Sequence, residues 1–203
     1  MSPRRLYEEE LKQLQESVEE MGMGVRATYA RLFSALQQQK ESVIEEIITS
    51  DQSTHTLQRR IEGSCLNLIT KQQPIARDLR QVSASLKVVT DISRIGDQCS
   101  DIAELVKRMH FKDLQEFSTH IPQMIEETGK QLTEAINAFV DRNAESAQHV
   151  VAGDDTVDDL FNQVKNDVIT HLRSEAKDPD DCIDVMMFAK YLEKIGDHAV
   201  NIA

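Results

Sequence analysis

The tripeptide Ile-Gly-Asp occurs at residues 95–97 and again at 195–197. The surrounding segments are S-R-I-G-D-Q-C-S-D (93–101) and E-K-I-G-D-H-A-V-N (193–201). Residues 50–57 align with 153–160 at an offset of 103, so that Asp51 matches Asp154 and His55 matches Asp158. Between these two anchors the offset drifts from 103 to 100, which fits a turn three residues shorter in the later copy. A duplicated sequence buries the same faces twice, so the chain must fold as two similar halves.

The pattern within each half is helical. Leu11, Leu14, Val18, Met21, Val25, Tyr29, Leu32, Phe33 and Leu36 recur at the spacing of one amphipathic helix over residues 6–38, locally weakened by Gly22 and Gly24. A second helix carries Val43, Ile44, Ile47 and Ile48, then Leu57, Ile61, Cys65, Leu68 and Ile69, with a kink or recapping expected at 49–54. Pro74 suits the first turn of a third helix, running to about residue 109. The pattern then repeats. Ile125, Leu132, Ile136 and Phe139 form one helix, and a single helix is expected from Val150 and Val151 through Val157, Leu160, Val164 and Val168 to Leu172. After a turn at 174–181, the last helix covers 183–203. Residues 110–121 lose periodicity and set the boundary. The expectation is an all-α chain of two tandem three-helix bundles, six long helices in all, with units at 1–112 and 113–203. Seven glycines and four prolines in 203 residues leave few breakers to contradict it.

The formal charge is −12, from 35 acids against 23 bases. Such a surface does not neutralise phosphate backbones or settle on anionic membranes, and it suits cations or basic patches on other proteins. No apolar run approaches the roughly 20 residues that span a bilayer, and the N-terminus lacks the apolar region of a secretory signal. Cys65, Cys99 and Cys182 are scattered and odd in number, which suits buried thiols in a reducing cytoplasm.

At about 100° per residue, positions i, i+4 and i+8 stay on one helix face. Glu193, Asp197 and Asn201 therefore form one oxygen-bearing stripe, and Ser93, Asp97 and Asp101 its counterpart, with Asp91 flanking. Like charges at this spacing repel, so they need open solvent or a cation. Oxygen ligands suit Mg²⁺, Ca²⁺, Mn²⁺ or iron rather than thiolate-held zinc. His198 reads as a neighbour of the face, not a ligand. Glu62, Asp154 and Asp158 on the second helices could add carboxylates. Gly96 and Gly196 each cost roughly 1 kcal/mol in a helix interior. Their recurrence implies close approach by another helix or by a ligand. No Ser-His-Asp set, phosphate loop or dinucleotide fingerprint is visible in the spacing.

K-Q-Q-P-I-A-R-D-L-R (71–80) resembles the R-Q-P-x-A-x-D-L-R segment of the PhoU family. D-I-S-R-I-G-D and the later Y-L-E-K-I-G-D-H-A-V-N-I are similar to that family's two copies of D-L-E-R-I-G-D-x-x-x-N-I. The resemblance covers essentially the whole chain. It implies two antiparallel three-helix bundles side by side in a cytoplasmic protein, a homodimer in many members, that restrains phosphate uptake and the phosphate-starvation response. The partners it implies are the ATPase subunit of the phosphate transporter and a sensor histidine kinase. It also implies bound divalent or trivalent cations, with iron, manganese, magnesium, calcium and zinc all open. Carried over by position, the metal residues are Asp97 and Asp101 in the first copy, with Asp91 as a substitute ligand, and Glu193, Asp197 and Asn201 in the second. The chain departs from the family at Ser93, where a glutamate is expected, at Lys194 for arginine and at Tyr191 for aspartate, so equal metal clusters are not expected.

Within 71–80, Asp78 suits the positive end of a helix, Arg77 and Arg80 lie close enough to pair with neighbouring carboxylates, and Arg80 is a candidate for partner docking. With no nucleophile or positioned base in view, a non-enzymatic regulatory adaptor is the expected function. The alternative is a helical metalloenzyme such as a metal-assisted phosphohydrolase.

Overall fold

The computed structural model describes residues 3–72, 74, 76–109, 111–174 and 178–203, and every element among them is an α-helix. In order these are α1 (Pro3–Gln38), α2 (Glu41–Gln72), α3 (Ala76–Val106), α4 (Phe111–Phe117), α5 (Ile121–Asp141), α6 (Ala144–Ala152), α7 (Asp154–Ser174) and α8 (Pro179–Ile202). Helices α1–α3 make one bundle and α5–α8 the other, as the duplication requires.

Three local expectations are corrected. No recapping interrupts α2 at 49–54, the stretch expected to kink or recap, and the helix continues through it. Its hydroxyls bond back along the same helix, Thr49 Oγ1 to the Glu45 carbonyl at 3.0 Å and Thr56 Oγ1 to that of Gln52 at 2.8 Å. The polar run thus satisfies itself inside the helix instead of capping a new one. The single helix expected over 150–172 is two. Asn143 caps α6 by accepting from the Glu145 and Ser146 amides. The Gly153 amide then closes α6 on the His149 and Val150 carbonyls before α7 starts at Asp154. Helix α3 begins at Ala76, two residues after Pro74. The aperiodic stretch near 110–121 holds α4, too short for its period to show, with Leu114 and Phe117 buried.

The duplication extends to the backbone. Gln39 and Arg142, 103 positions apart, both take left-handed φ (54° and 53°) where α1 and α5 end. The halves meet across two helix pairs. At one end of the α3–α8 pair Arg108 bonds Asp184 at 3.0 Å, and at the other Asp91 meets His198 and Asn201, so the two helices run antiparallel. In the α1–α5 pair a Cβ on Gly22 would stand 3.1 Å from Ile136, and one on Gly129 only 2.9 Å from Tyr29. Both the two glycines and the two large residues are 107 positions apart, so each helix offers its glycine to the other's bulky side chain. Leu32, Ile92, Ile95, Leu132, Phe188, Leu192 and Ile195 belong to one buried cluster, so the bundles share a core. Cys65, Cys99 and Cys182 lie within it. Burial pushes the Cys99 thiol up to about 12, which makes it a poor nucleophile.

Candidate metal centre

The glycines of the two Ile-Gly-Asp segments settle the choice between helix and ligand left open above. A Cβ on Gly96 would lie 3.3 Å from Thr54 of α2, and one on Gly196 3.3 Å from Val157 of α7 and 2.9 Å from Gln131 of α5. Thr54 and Val157 are themselves 103 positions apart. The glycines let the second and third helices of each bundle cross closely. That crossing brings Asp158, the residue after Val157, against the acid face of α8.

In the second bundle Asp158, Glu193 and Asp197 each offer a carboxylate oxygen, and these oxygens all lie within 4.8 Å of one another. Asp154 stands one turn before Asp158 and takes a 3.4 Å hydrogen bond from Gln131 Nε2. Two lysines answer the charge. Lys190 Nζ lies 2.7 Å from the Glu193 carboxylate and 5.3 Å from the centre of the Phe161 ring. Lys194 bonds Asp197 and approaches Glu193 at 3.4 Å. Glu193 Oε2 is buried and takes no well-formed hydrogen bond even with both ammonium groups in range. The Asp158 carboxyl is partly stripped of water and faces Asp154, Glu193, Asp197 and Asp155, and both effects push its pKa up, the loss of water most. The Lys194 pKa is raised, chiefly by its bond to Asp197. The donor set is all oxygen, crowded and short of hydrogen bonds at its buried atom, which fits a hard or borderline cation.

The first bundle places different chemistry at the same positions. His55 stands where Asp158 does and Ser93 where Glu193 does. His55 Nδ1 lies 3.1 Å from Ser93 Oγ and His55 Nε2 3.0 Å from Asp97 Oδ1. Arg94 bonds the other Asp97 oxygen at 3.2 Å. Among the described residues this face gathers one carboxylate, with an imidazole and a guanidinium beside it, and Asp97 Oδ1 is buried without a well-formed hydrogen bond, as Glu193 Oε2 is.

The remaining candidates lie elsewhere. Asp91 Oδ1 contacts His198 Nδ1 at 2.8 Å and accepts from Asn201 Nδ2 at 3.1 Å, so Asp91 and Asn201 form a polar tie between α3 and α8 rather than joining Asp97 or Asp197. Asp101 shares the far side of that helix pair with Tyr191, Glu104 and Arg108. Burial, and then the charge of Asp101, raise the Tyr191 pKa. Of the six carboxylate and amide candidates, only Glu193 and Asp197 belong to a cluster of three carboxylates among the described residues. Its third oxygen, Asp158, was a secondary candidate in the sequence. Lys190 and Gln131 had no signal beyond their spacing.

A serine, a histidine and an aspartate do meet, though the spacing hid them. Ser118 Oγ donates to Asp167 Oδ2 at 2.6 Å, and His120 Nδ1 reaches the same oxygen at 2.8 Å. Ser118 is buried and bonds the carboxylate directly, so it is no nucleophile; the trio fastens the α4–α5 junction to α7. Both bonds hold the Asp167 pKa low against the opposing effect of burial.

A PhoU domain model matches residues 18–106 and again 121–203. The chain belongs to the PhoU family. It is 30% identical over 200 residues to a phosphate-specific transport system accessory protein PhoU homolog of Clostridium acetobutylicum, covering 98% of this chain and 91% of that one. It is 29% identical to PhoU homolog 1 of Methanothermobacter thermautotrophicus, covering 99% and 92%. In fold it matches the crystal structure of PhoU from Pseudomonas aeruginosa, with a TM-score of 0.86 at 25% identity over 97% of this chain and 94% of that one. The phosphate transport system regulatory protein PhoU from Streptococcus pneumoniae matches at 0.87 and 23%, over 97% and 92%.

Of the 71–80 segment, Lys71 and Gln72 end α2 and residues 76–80 open α3, away from the acid cluster. Asp78 accepts from the Tyr7 hydroxyl at 3.0 Å, and burial together with that bond pushes Tyr7 up to about 12. Arg77 and Arg80 are exposed, and among the described residues neither pairs with a carboxylate, contrary to the pairing expected from their spacing. No helix among the described residues is long and apolar enough to cross a membrane.

Proposed function

We propose that the protein is a cytoplasmic regulatory adaptor of phosphate transport that holds a metal cation at Asp158, Glu193 and Asp197. The observation that carries this reading is the convergence of three carboxylates from α7 and α8 in a PhoU-family chain. Its curated relatives are named as accessory proteins of the phosphate-specific transport system. On that basis the partners are the transporter's ATPase subunit and a sensor kinase of the starvation response. A cation at this site would link α7 to α8 and fix the surface that the two helices present. The residues lining it supply ligands and lysine counter-charges but no free base placed to activate water, so the reading is binding, not catalysis.

The test is elemental analysis of protein purified without chelator or metal-affinity resin, beside an Asp158→Asn/Glu193→Gln variant. Manganese, iron or another di- or trivalent cation near one per chain, lost in the variant, is the expected result. Equal metal contents in two folded proteins would remove the site. Binding to the purified ATPase subunit, with and without chelator, then asks whether the cation matters to the adaptor.

A further inference from the structure

We propose that Lys190 and Lys194 are the resident cations of the acid cluster, which a metal ion must displace, so that these two lysines set the site's affinity. The inference rests on the metal reading above and concerns what stands in the metal's way. Lys190 Nζ lies 2.7 Å from both oxygens of the Glu193 carboxylate, in the fork where a metal ion held by both would sit. Lys194 bonds Asp197 and stands 3.4 Å from Glu193, so its ammonium bridges the two acids of α8. Among the described residues Asp158 pairs with neither lysine, and the charges acting on its carboxyl are all acidic. The ammonium groups thus neutralise the acids of their own helix and leave the third uncovered. A metal ion that takes all three carboxylates gains Asp158 but breaks two lysine pairs, and its affinity is the difference.

The duplication supplies an internal comparison. One hundred positions earlier Ser93 stands for Glu193 and Thr90 for Lys190, and 103 positions earlier Gln58 stands for Phe161. Where the carboxylate fork is missing, so are the ammonium that fills it and the ring beside it. Lys190 Nζ lies 5.3 Å from the centre of the Phe161 ring, a cation–π distance that adds to its hold on the site. Glu193, by contrast, is only 14% exposed, so the fork is a place from which water is largely excluded and a counter-charge is needed. The lysines can still leave it. Their side chains are 41% and 40% exposed on flexible four-carbon stems, so each ammonium can swing into water without any helix moving.

The experiment is calorimetric titration of Mn²⁺ into the metal-stripped full chain. The parent should take up Mn²⁺ at the acid cluster. Lys190→Met keeps the apolar stem but removes the ammonium, and should bind about tenfold tighter, as loss of a unit charge a few ångströms from a divalent ion implies. Adding Lys194→Met should gain about tenfold again. Lys190→Arg keeps the charge and should bind much as the parent does. Lys40→Met, an exposed change between α1 and α2 that lowers the net charge equally, should also bind as the parent does. A lysine needed only to hold the fold predicts the opposite sign, weaker binding in Lys190→Met. Equal or weaker binding there, beside a parent that takes Mn²⁺, overturns the proposal and leaves the metal reading standing. Tightening of the same size in Lys40→Met also overturns it. Binding by the Lys190 and Lys194 variants alone would support it in its strongest form, a site closed by its own lysines. Mn²⁺ taken up by none of the proteins removes the metal reading and the proposal together.

Discussion

Gly129→Ala tests how the two bundles are held together. In most helix interiors this change gains roughly 1 kcal/mol of propensity. Here the new Cβ would sit 2.9 Å from Tyr29 Cε1 and 3.6 Å from Cδ1. The ring has nowhere to go. Tyr29 is 6% exposed, its centroid is 4.5 Å from that of Phe33, and its hydroxyl donates to the Ile125 carbonyl at 2.7 Å. Forcing a methyl group into a packed contact costs about 1–3 kcal/mol. A ring displaced enough to relieve the clash also strains a hydrogen bond worth about 1 kcal/mol. Set against the propensity gain, the net loss should be about 1–3 kcal/mol, or roughly 2–12 °C for a chain of this length. Gly24→Ala is the control, because nothing lies within 4 Å of its added Cβ and the full propensity gain should appear. Urea denaturation of both variants should give shifts of opposite sign. In a Tyr29→Leu background, Gly129→Ala should become neutral or stabilising, a coupling that a double-mutant cycle measures. Equal stabilisation by Gly129→Ala and Gly24→Ala would refute the close approach of α1 and α5.

Other outcomes follow from the site. Asp158→Asn should stabilise the metal-free protein at neutral pH, by under about 1 kcal/mol at so exposed a position. The folded pKa of Asp158 is raised, so its contribution is intact below the unfolded value near 3.9 and is lost as pH rises through the folded value. The advantage of the variant should therefore fade in thermal melts at acid pH, and an advantage that persists there would contradict the crowding argued for this carboxyl. Asp91→Ala should cost about 1–3 kcal/mol, because His198 and Asn201 lose their acceptor. It should leave the metal content of purified protein unchanged, and loss of metal would make Asp91 a ligand after all. His55→Asp/Ser93→Glu rebuilds in the first bundle the donor set of the second. Metal per chain should rise by about one, and an unchanged ratio would show that carboxylate number is not what separates the two faces.

The fold was largely legible because helical periodicity is a local property, and the duplicated Ile-Gly-Asp segments supplied the long-range pairing. The errors sit where local chemistry competes with itself. The hydroxyl-rich stretch at 49–54 looks like a cap, but inside the helix Thr49 and Thr56 bond back to carbonyls one turn earlier. Asn143 and Gly153, by contrast, cap and end a helix in the middle of an unbroken apolar pattern. The candidate site was half legible. Spacing put Glu193 and Asp197 on one face but could not say which way that face turned, and the same wheel carried Asn201 into it, as the first-copy wheel set Asp91 beside Asp97. In the structure Asn201 of α8 and Asp91 of α3 bond each other where the two helices meet. Asp158 needed a contact between helices, and the only trace of it was its alignment with His55. The match of Gly22 with Gly129 across 107 positions was also present in the sequence, but it falls outside the two segments whose similarity was visible.

The difference between the copies bears on what the second cluster can do. Asp154 and Asp155 need no cation, because they occupy the first turn of α7, where the helix dipole favours negative charge. Asp158, Glu193 and Asp197 have no such support. Their counter-charges come from Lys190 and Lys194, flexible side chains that reach in from the solvent side of α8. In the first bundle His55 of the neighbouring helix stands 3.0 Å from Asp97 and Arg94 of its own helix 3.2 Å, so residues of both helices face that acid. In the second, the ammonium groups that bridge the acids among the described residues belong to α8 itself, and α7 is held against them by the crossing at Gly196, by buried side chains such as Val157 and Leu160, and by Phe161 beneath Lys190. A cation entering there would displace lysine ammonium groups outward and replace a tie within one helix by a tie between two. On the proposed reading, metal binding would therefore change two things together, the stiffness of the α7–α8 pair and the positive charge exposed along it. An apposed acidic surface would sense both. A metal held in the first bundle could change neither without first breaking the His55 bridge.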